Sequence, residues 1–299
     1  MERCWDKWIA VDWGTSSFRA YFIENNKVSA SINSKAGMKF IEKGDFEKTL
    51  MGLIEPWLHQ NYSIEILASG MVGSKQGWIE APYQKTPCSL NNIEFISPNV
   101  RDKRFSFKIF SGISQINEPD VMRGEETQIA GFLYDNPNFN GSICLPGTHS
   151  KWVEIKNNNI IKFKSFMTGE LFEIISKNSV LIHSVTSKKI DKAELLKSVD
   201  EIFNNPKIFG NALFQLRADD LINSRGSEIY KSKLSGYLLG LELLGSLEFW
   251  EKKDIVLIGN ADLVKMYEYV LQKKVISIKS FLSKDMVLKG LKNFKNKLL

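Results

Sequence analysis

Two stretches of the sequence follow one plan: "VDWGTSSFRAYFIENNKVSASI" (residues 11–32) and "CLPGTHSKWVEIKNNNIIKFKSF" (residues 144–166). In each, an apolar run ends at a Gly-Thr turn with a further Ser, a second run follows, and an Asn-rich hairpin signal leads into a third run. This order predicts strand, turn, strand, hairpin, strand, twice. The copies lie too far apart for a stacked solenoid. They imply two related α/β domains that face each other, each built on one copy, in residues 1–139 and 140–299. Identity between the copies is low, and two unrelated hairpins are the plainer alternative. A chain of 299 residues is long enough for two domains with a cleft.

The intervening segments read mainly as helices. Residues 45–59 fit a helix with Asp45 capping its start and Phe46, Leu50, Leu53, Ile54 and Trp57 on one face. Pro56 kinks or ends it. "IEILASGM" is a buried strand running into a glycine turn. Residues 191–222 and 227–250 are predicted helical, with Gly236, Gly240 and Gly245 placed for close backbone packing. Residues 254–271 give a strand, a glycine turn and an amphipathic helix, and "KDMVLKGLKNFKNKLL" closes the chain as a helix.

Composition narrows the function classes. Lys and Arg exceed Asp and Glu by 40 to 34, a net charge of +6, but the lysines are scattered among acids and apolar residues. That pattern is a solvated face, not a nucleic-acid surface, and it suits an anionic substrate. Cys4, Cys88 and Cys144 are widely spaced, with no CxxC pair, so neither a disulfide framework nor a zinc site is expected. The segment "MERCWDKW" lacks the apolar core of a signal peptide. The most apolar helical stretch, "LSGYLLGLELLGSL", is short for a membrane span and carries Glu242. The expected location is the cytoplasm, with no membrane partner.

Several constellations carry chemistry. In the first turn, Gly14 allows close backbone approach, and the N–H groups and hydroxyls of Thr15 and Ser16 can cradle phosphate oxygens. Asp12, ending the first strand, can hold a Mg²⁺ ion, with Arg19 adding positive charge. The competing reading is an Asx-type hairpin turn. The second turn, Gly147-Thr148-His149-Ser150, offers a second set of donors. His149 beside Ser150 is not the G-x-S-x-G elbow of a hydrolase. "DVMRGEETQIAGFL" is the densest polar knot, where a carboxylate at a helix start can serve as a general base in phosphoryl transfer or merely complement the helix dipole. "ASGMVGSKQGWIEAPY" reads as a loop lining a site: Lys75 can pair a carboxylate, Gln76 bond hydroxyls and Trp78 stack on a sugar face. Gly259-Asn260, at a strand-to-helix turn, suits close approach of adenine.

The order of these pieces resembles the actin-like ATPase and sugar-kinase superfamily, in which two duplicated α/β domains of ribonuclease H-like fold enclose ATP. Within it, "AVDWGTSSFRA", "PDVMRGEETQIAG", "LPGTHSKWV", "MTGELFEI" and "LFQLRADDL" are similar to the 2-dehydro-3-deoxygalactonokinase family. The resemblance implies ATP-dependent phosphorylation of 2-dehydro-3-deoxy-D-galactonate at its C6 hydroxyl, in galactonate breakdown. It implies ATP and Mg²⁺ as cofactors and a sugar acid as the small-molecule partner, and it leaves a homodimer open. It assigns Asp12 to the metal; Asp12, Gly14, Thr15, Ser16, Gly147, Thr148, His149 and Ser150 to the phosphates; and Gly259 and Asn260 to adenosine. Ser74, Lys75, Gln76, Trp78 and Arg123 fall to the sugar acid. Related kinases use an Asp after a glycine at a helix start. Here Gly124 is followed by Glu125, so Glu125, Asp120 and Glu126 are all candidates for the base, with Arg123 beside them. The alternatives are a kinase of another acidic or keto-deoxy sugar, or a non-catalytic actin-like ATP-binding switch.

Overall fold

The computed structural model describes residues 2–272 and 274–298, with side chains from Asp6 onward. The side chain of Cys4 lies outside the described residues. By its contacts the chain divides into two units. One comprises Met1–Asn140, Ile155–Phe163 and Leu282–Leu299; the other comprises Gly141–Glu154 and Lys164–Phe281.

The first unit opens with an antiparallel meander of β1 (Glu2–Trp13), β2 (Phe18–Glu24) and β3 (Lys27–Ser34). Asn25 and Asn26 turn the second hairpin with φ of 50° and 62°, the left-handed conformation that asparagine tolerates. After α1 (Phe46–Ile54), β4 (Tyr62–Ser69) pairs parallel to β1. The short strands β5 (Tyr83–Lys85), β6 (Cys88–Ser89) and β7 (Phe95–Ile96) lead to β8 (Phe105–Phe110), parallel to β4. The main sheet runs β3-β2-β1-β4-β8-β7. β9 (Gly112–Gln115) and β10 (Asp120–Met122) form a small sheet with β5 and deliver the chain into α2 (Glu125–Asp135).

Trp13, Phe18, Phe107 and Phe46 of α1 are fully buried in one core cluster. Side chains of this size contribute about 1.5–3 kcal/mol each on burial. The apolar face of α1 is as expected, with Phe46, Leu50 and Ile54 buried, and the helix stops at a 3-10 turn, Glu55–Trp57, that contains Pro56. Asp45 differs from expectation. It occupies the capping position, but its side chain accepts no cap hydrogen bond, and its carbonyl takes the Thr49 N–H instead.

The second six-stranded sheet repeats the plan. β11 (Gly141–Leu145), β12 (Ser150–Lys156) and β13 (Asn159–Phe166) correspond to β1, β2 and β3, and Asn157 and Asn158 turn the hairpin with φ of 50° and 61°. The helices α3 (Thr168–Asn178), α4 (Lys192–Asn204), α5 (Phe209–Asn223), α6 (Ser227–Gly245) and α7 (Leu247–Trp250) follow. β14 (Asp254–Gly259) then pairs parallel to β11, and α8 (Ala261–Leu271) precedes β15 (Ser277–Leu282). The strand order β13-β12-β11-β14-β15 matches β3-β2-β1-β4-β8. The duplication in the sequence is therefore a duplication of sheet topology.

One helical expectation holds and one is corrected. Residues 191–222 are helical as expected, in two helices, because Pro206 lacks the N–H a continuous helix needs and heads a 3-10 turn. The segment 227–250 ends its long helix at Gly245. The helix glycines do serve close packing: a Cβ on Gly236 or Gly240 would lie 2.7 Å from the Leu195 or Val199 carbonyl oxygen of α4.

The expected second domain of 140–299 also differs. Ile155–Phe163 and the last helix, α9 (Ser283–Lys297), pack within the first unit. Asn159 and Ile160 pair with Ser89 and Cys88. α9 lies so close to α2 that a Cβ on Gly290 would stand 1.9 Å from the Thr127 carbonyl oxygen. Lys295 and Lys108 both donate to Glu65, at 2.6 and 2.7 Å, anchoring the helix to β4. A closing helix with an amphipathic pattern shows that it must dock; its sequence does not say on which sheet.

Candidate active site

In the first unit, Asp12 ends β1 between Arg19 on β2 and Ser69 on β4, its register partners. Arg19 Nη2 stands 3.3 Å from Asp12 Oδ2. Burial raises the Asp12 pKa and the Arg19 charge lowers it, burial being the larger effect. The side chain nevertheless keeps 18% of its surface exposed, so the carboxylate is enclosed on most sides and open on one. The turn that follows is held through its backbone. Gly14 N–H donates to the Ser17 carbonyl at 2.9 Å, and the N–H groups of Met38 and Lys39 donate to the Gly14 and Thr15 carbonyls at 3.0 Å. The side chains of Thr15 and Ser16 stay exposed and unspent.

β4 brings a second element to the same edge. Ser69 Oγ lies 2.7 Å from Thr127 Oγ1 in α2, and Thr127 donates to Glu126 Oε1 at 3.0 Å. Gly124, at the start of α2, has φ of +109°, a conformation that disfavours any side chain, and packs on Gly70. The acids of the first helical turn reach back to backbone groups: Arg123 N–H donates to Glu125 Oε2 at 3.0 Å and Gly124 N–H to Glu126 Oε2 at 2.6 Å. They satisfy donors that a helix start leaves unpaired. Glu126 is fully buried, and burial together with the Glu125 charge pushes its pKa up to about 7. Glu125 is only half-buried. Asp120, further back on β10, accepts its neighbour Val121 N–H at 2.7 Å.

Arg123 is buried, donates to the Ala81 carbonyl at 2.7 Å and to the Tyr83 hydroxyl at 3.3 Å, and lies over the Tyr83 ring. Its Nη1 and the buried Ser74 Oγ have no hydrogen-bond partner among the described residues. Lys75 and Gln76 are exposed on the loop beyond Ser74. Trp78 packs against Phe46 and Phe107, with ring centroids 6.2 and 4.8 Å away, so the contacts its ring makes are core contacts.

In the second unit the Gly147–Ser150 turn is held by side chains and by a helix. Ser150 is buried, with Oγ 2.9 Å from the Tyr267 hydroxyl. Glu170 N–H donates to the Thr148 carbonyl at 3.0 Å, and Gly169 packs on Gly147. His149 Nε2 and Glu170 Oε2 are 2.5 Å apart at the surface. Exposed pairs of this kind contribute about 0–1 kcal/mol, so this one orients the ring more than it stabilises the fold. Gly259 and Asn260 lie beside this turn because β11 and β14 are parallel neighbours. A Cβ on Gly259 would stand 3.3 Å from the Pro146 carbonyl oxygen. Asn260 is exposed and caps α8, its Oδ1 accepting the Asp262 N–H at 2.9 Å. A cavity of about 760 Å³ opens here, with Gly147, Thr168 and Gly169 at its phosphate-turn end, Leu238 and Leu239 on its apolar wall, and Asp262 from the α8 start. Ligand sites at the carboxyl ends of parallel strands are the rule in α/β folds.

Each unit thus gathers its own share of the expected residues. The sequence reading passed over Thr168, Tyr267 and Glu242. Glu242 is fully buried and accepts from Trp152 Nε1, the Tyr267 hydroxyl and Thr168 Oγ1. Its signal was present: a lone acid in an apolar helix needs buried donors. Among the described residues no group of three or more His, Cys, Asp or Glu is placed to hold a metal. Asp12 fits Mg²⁺ in another way, as a single carboxylate for an ion that keeps its waters and takes phosphate oxygens.

The chain is similar to known proteins along most of its length. The model of the family described as 2-keto-3-deoxy-galactonokinase matches residues 12–294. The chain is 34% identical over 291 residues, 95% of each chain, to the "Probable 2-dehydro-3-deoxygalactonokinase DgoK1" of Rhizobium meliloti (strain 1021). It is 28% identical over 269 residues, 89% of each chain, to the 2-dehydro-3-deoxygalactonokinase of Escherichia coli (strain K12). A crystal structure named for a 2-dehydro-3-deoxygalactonokinase protein from Sinorhizobium meliloti superposes with a TM-score of 0.88 at 33% identity, covering 95% of this chain and 97% of that one. The fold is also shared with the Acidaminococcus fermentans (R)-2-hydroxyglutaryl-CoA dehydratase component A, which superposes with a TM-score of 0.51 at 12% identity over 98% of this chain and 99% of that one. With its two matched sheets and its Gly-Thr turns, the chain belongs to the 2-keto-3-deoxy-galactonokinase family.

Proposed function

We propose that the protein is an ATP-dependent kinase that phosphorylates 2-dehydro-3-deoxy-D-galactonate at its C6 hydroxyl, giving 2-dehydro-3-deoxy-6-phosphogalactonate for galactonate catabolism. The observation that carries this reading is the repeated Gly-Thr turn at the end of β1 and of β11, joined to the family match over residues 12–294. In this reading both turns bind phosphate. The first offers backbone N–H groups and the free hydroxyls of Thr15 and Ser16. The second offers the N–H groups of Gly147, Thr148 and His149, with Gly259 and Asn260 and the adjoining cavity receiving adenosine.

Glu125 takes the C6 hydroxyl proton as that oxygen bonds to the γ-phosphorus and the bond to the β,γ-bridging oxygen breaks, releasing ADP. Its half-exposed position at the start of α2 favours it over Glu126, whose carboxylate is spent on Gly124 and Thr127. Arg123 Nη1 and Ser74 Oγ, buried and lacking partners, suit the oxygens of a sugar acid, with Lys75 and Gln76 at the rim. Asp12 would hold Mg²⁺, which when bound neutralises phosphate charge. Phosphoryl transfer depends mainly on such positioning and charge stabilisation. A cytoplasmic location fits the reading, and among the described residues no helix is long and apolar enough to cross a membrane.

The test is purified protein with Mg-ATP and a panel of sugar acids. ADP release dependent on 2-dehydro-3-deoxygalactonate, with a phosphorylated product by mass spectrometry, is the expected result. Turnover only with another acid of the panel would reassign the substrate. ATP binding with no acceptor-dependent turnover would favour a nucleotide-binding switch.

A further inference from the structure

Behind the cavity wall of the second unit sits a carboxylate that the proposed chemistry does not use. Glu242, in the middle of α6, is 1% exposed. Its Oε1 accepts the Trp152 indole N–H at 2.9 Å and the Tyr267 hydroxyl at 2.9 Å. Its Oε2 lies 2.8 Å from the same hydroxyl and also accepts from Thr168 Oγ1. Tyr267 in turn lies 2.9 Å from Ser150 Oγ. Burial, the larger effect, raises the Glu242 pKa, and these donors offset part of the rise.

The partners are not arbitrary core residues. Thr168 and Tyr267 both line the cavity, and Ser150 ends the second phosphate turn. Thr168 is also the first residue of α3, whose next residues hold the turn through the Glu170 N–H and the Gly169 contact. One carboxylate therefore fixes the turn from two sides, through Thr168 and through Tyr267 and Ser150. It also sets hydroxyl directions. A carboxylate accepts and cannot donate, so the Tyr267 and Thr168 protons point toward it, and Ser150 donates its own proton to Tyr267. Ser150 is then committed inward, and the second turn presents Gly147, Thr148 and His149 to a ligand without it.

We infer that Glu242 is a positioning residue for nucleotide phosphate, holding the Gly147–His149 turn in its binding geometry through Thr168 and Tyr267. This inference rests on the nucleotide reading of the second unit. Hydrogen bonds to a buried charge are among the strongest in proteins, and removing such an acceptor strands its donors.

The experiment compares full-length wild type with Glu242→Gln, Tyr267→Phe and Thr168→Val, titrating ADP and, separately, adenosine by calorimetry. Glu242→Gln should weaken ADP about tenfold or more while changing adenosine less than about twofold, because adenosine does not use the turn. Tyr267→Phe and Thr168→Val should show the same selective loss, each smaller than that of Glu242→Gln. These two keep side-chain shape, so they carry the test if Glu242→Gln does not fold. Unchanged ADP affinity in folded variants overturns the inference. So does a parallel loss of ADP and adenosine, which is what a merely structural role gives. Wild-type protein that binds neither ligand overturns the nucleotide reading and this inference with it. Normal wild-type ADP binding without sugar-acid turnover overturns the substrate reading alone.

Discussion

The two Gly-Thr turns share a sequence plan and a sheet position, yet they are held in place in different ways. The first follows a carboxylate, Asp12; at the same place before the second stands Leu145, buried in the core. The first is held by backbone bonds from Met38 and Lys39, which leave Thr15 and Ser16 exposed. The second is held by the start of α3 and by a buried carboxylate beneath it, which draws Ser150 inward. A duplicated unit thus supplies the backbone concavity twice. The acidic group lies at the open edge in one copy and behind the wall in the other. The first keeps part of its surface open; the second is saturated by hydroxyl and indole donors.

If that division of labour holds, Asp12→Ala should have the largest effect, lowering kcat on the order of 10³-fold with modest change in ADP affinity. Near-normal turnover in a coupled ADP assay would erase the distinction between the turns. Glu125→Gln should follow, lowering kcat on the order of 10²-fold while leaving the KM for ATP nearly unchanged. If Asp120→Asn produces that loss instead, the base lies on β10 and not on α2.

A third variant probes the frame. Gly290→Ala places a Cβ 1.9 Å from the Thr127 carbonyl oxygen, so α9 must shift away from α2, at a cost of roughly 2–3 kcal/mol. Urea denaturation should show this loss, and a stability equal to wild type would mean that α9 does not brace α2.

The buried acid of the first unit gives a pH signature. The Glu126 pKa stands at about 7 in the fold against 4.5 as its ordinary value. The folded state therefore binds the proton more tightly than the unfolded state. Its contribution to stability is fully present below pH 4.5 and is lost as the pH rises to about 7. The loss is on the order of 3 kcal/mol. Glu126→Gln, which cannot ionise, should flatten that slope between pH 5 and pH 8 in denaturant titrations; an unaltered slope would place the titrating group elsewhere. The smallest effect is expected at the rim. Lys75→Ala should raise the KM for the sugar acid about threefold with kcat retained, since exposed charges are screened. A rise of a hundredfold or more, on the order expected for losing a buried charged contact, would move the acid-binding site from the buried Arg123 out to the loop.

Much of this was legible in the sequence because it depends on local chemistry. The paired Asn turns, the apolar runs and the Gly-Thr turns are set by neighbouring residues, so the duplicated meander could be read directly. Glu125 and Arg123 announced themselves as a polar knot between apolar segments. The supporting residues did not. Thr168, Tyr267 and Glu242 are ordinary residue types in three separate helices, and they become a network only when α3, α6 and α8 are packed together. An aromatic in a polar loop suggests a sugar-stacking role for Trp78, whereas its packing against Phe46 and Phe107 is a property of the packed unit.

By itself the sequence determined the strand order of each repeat, the two Gly-Thr turns, the Asp12 carboxylate near the end of β1 and the helix start at Glu125. These follow from side-chain periodicity, turn residues and short-range capping, which act over a few residues. Tertiary structure alone decided that α9 closes the first unit, that Glu126 and Glu242 are buried, and that Ser150 faces inward while Ser16 faces out. Burial and hydrogen-bond direction depend on which distant groups share a low-dielectric interior, and residue order does not specify that until the chain has packed.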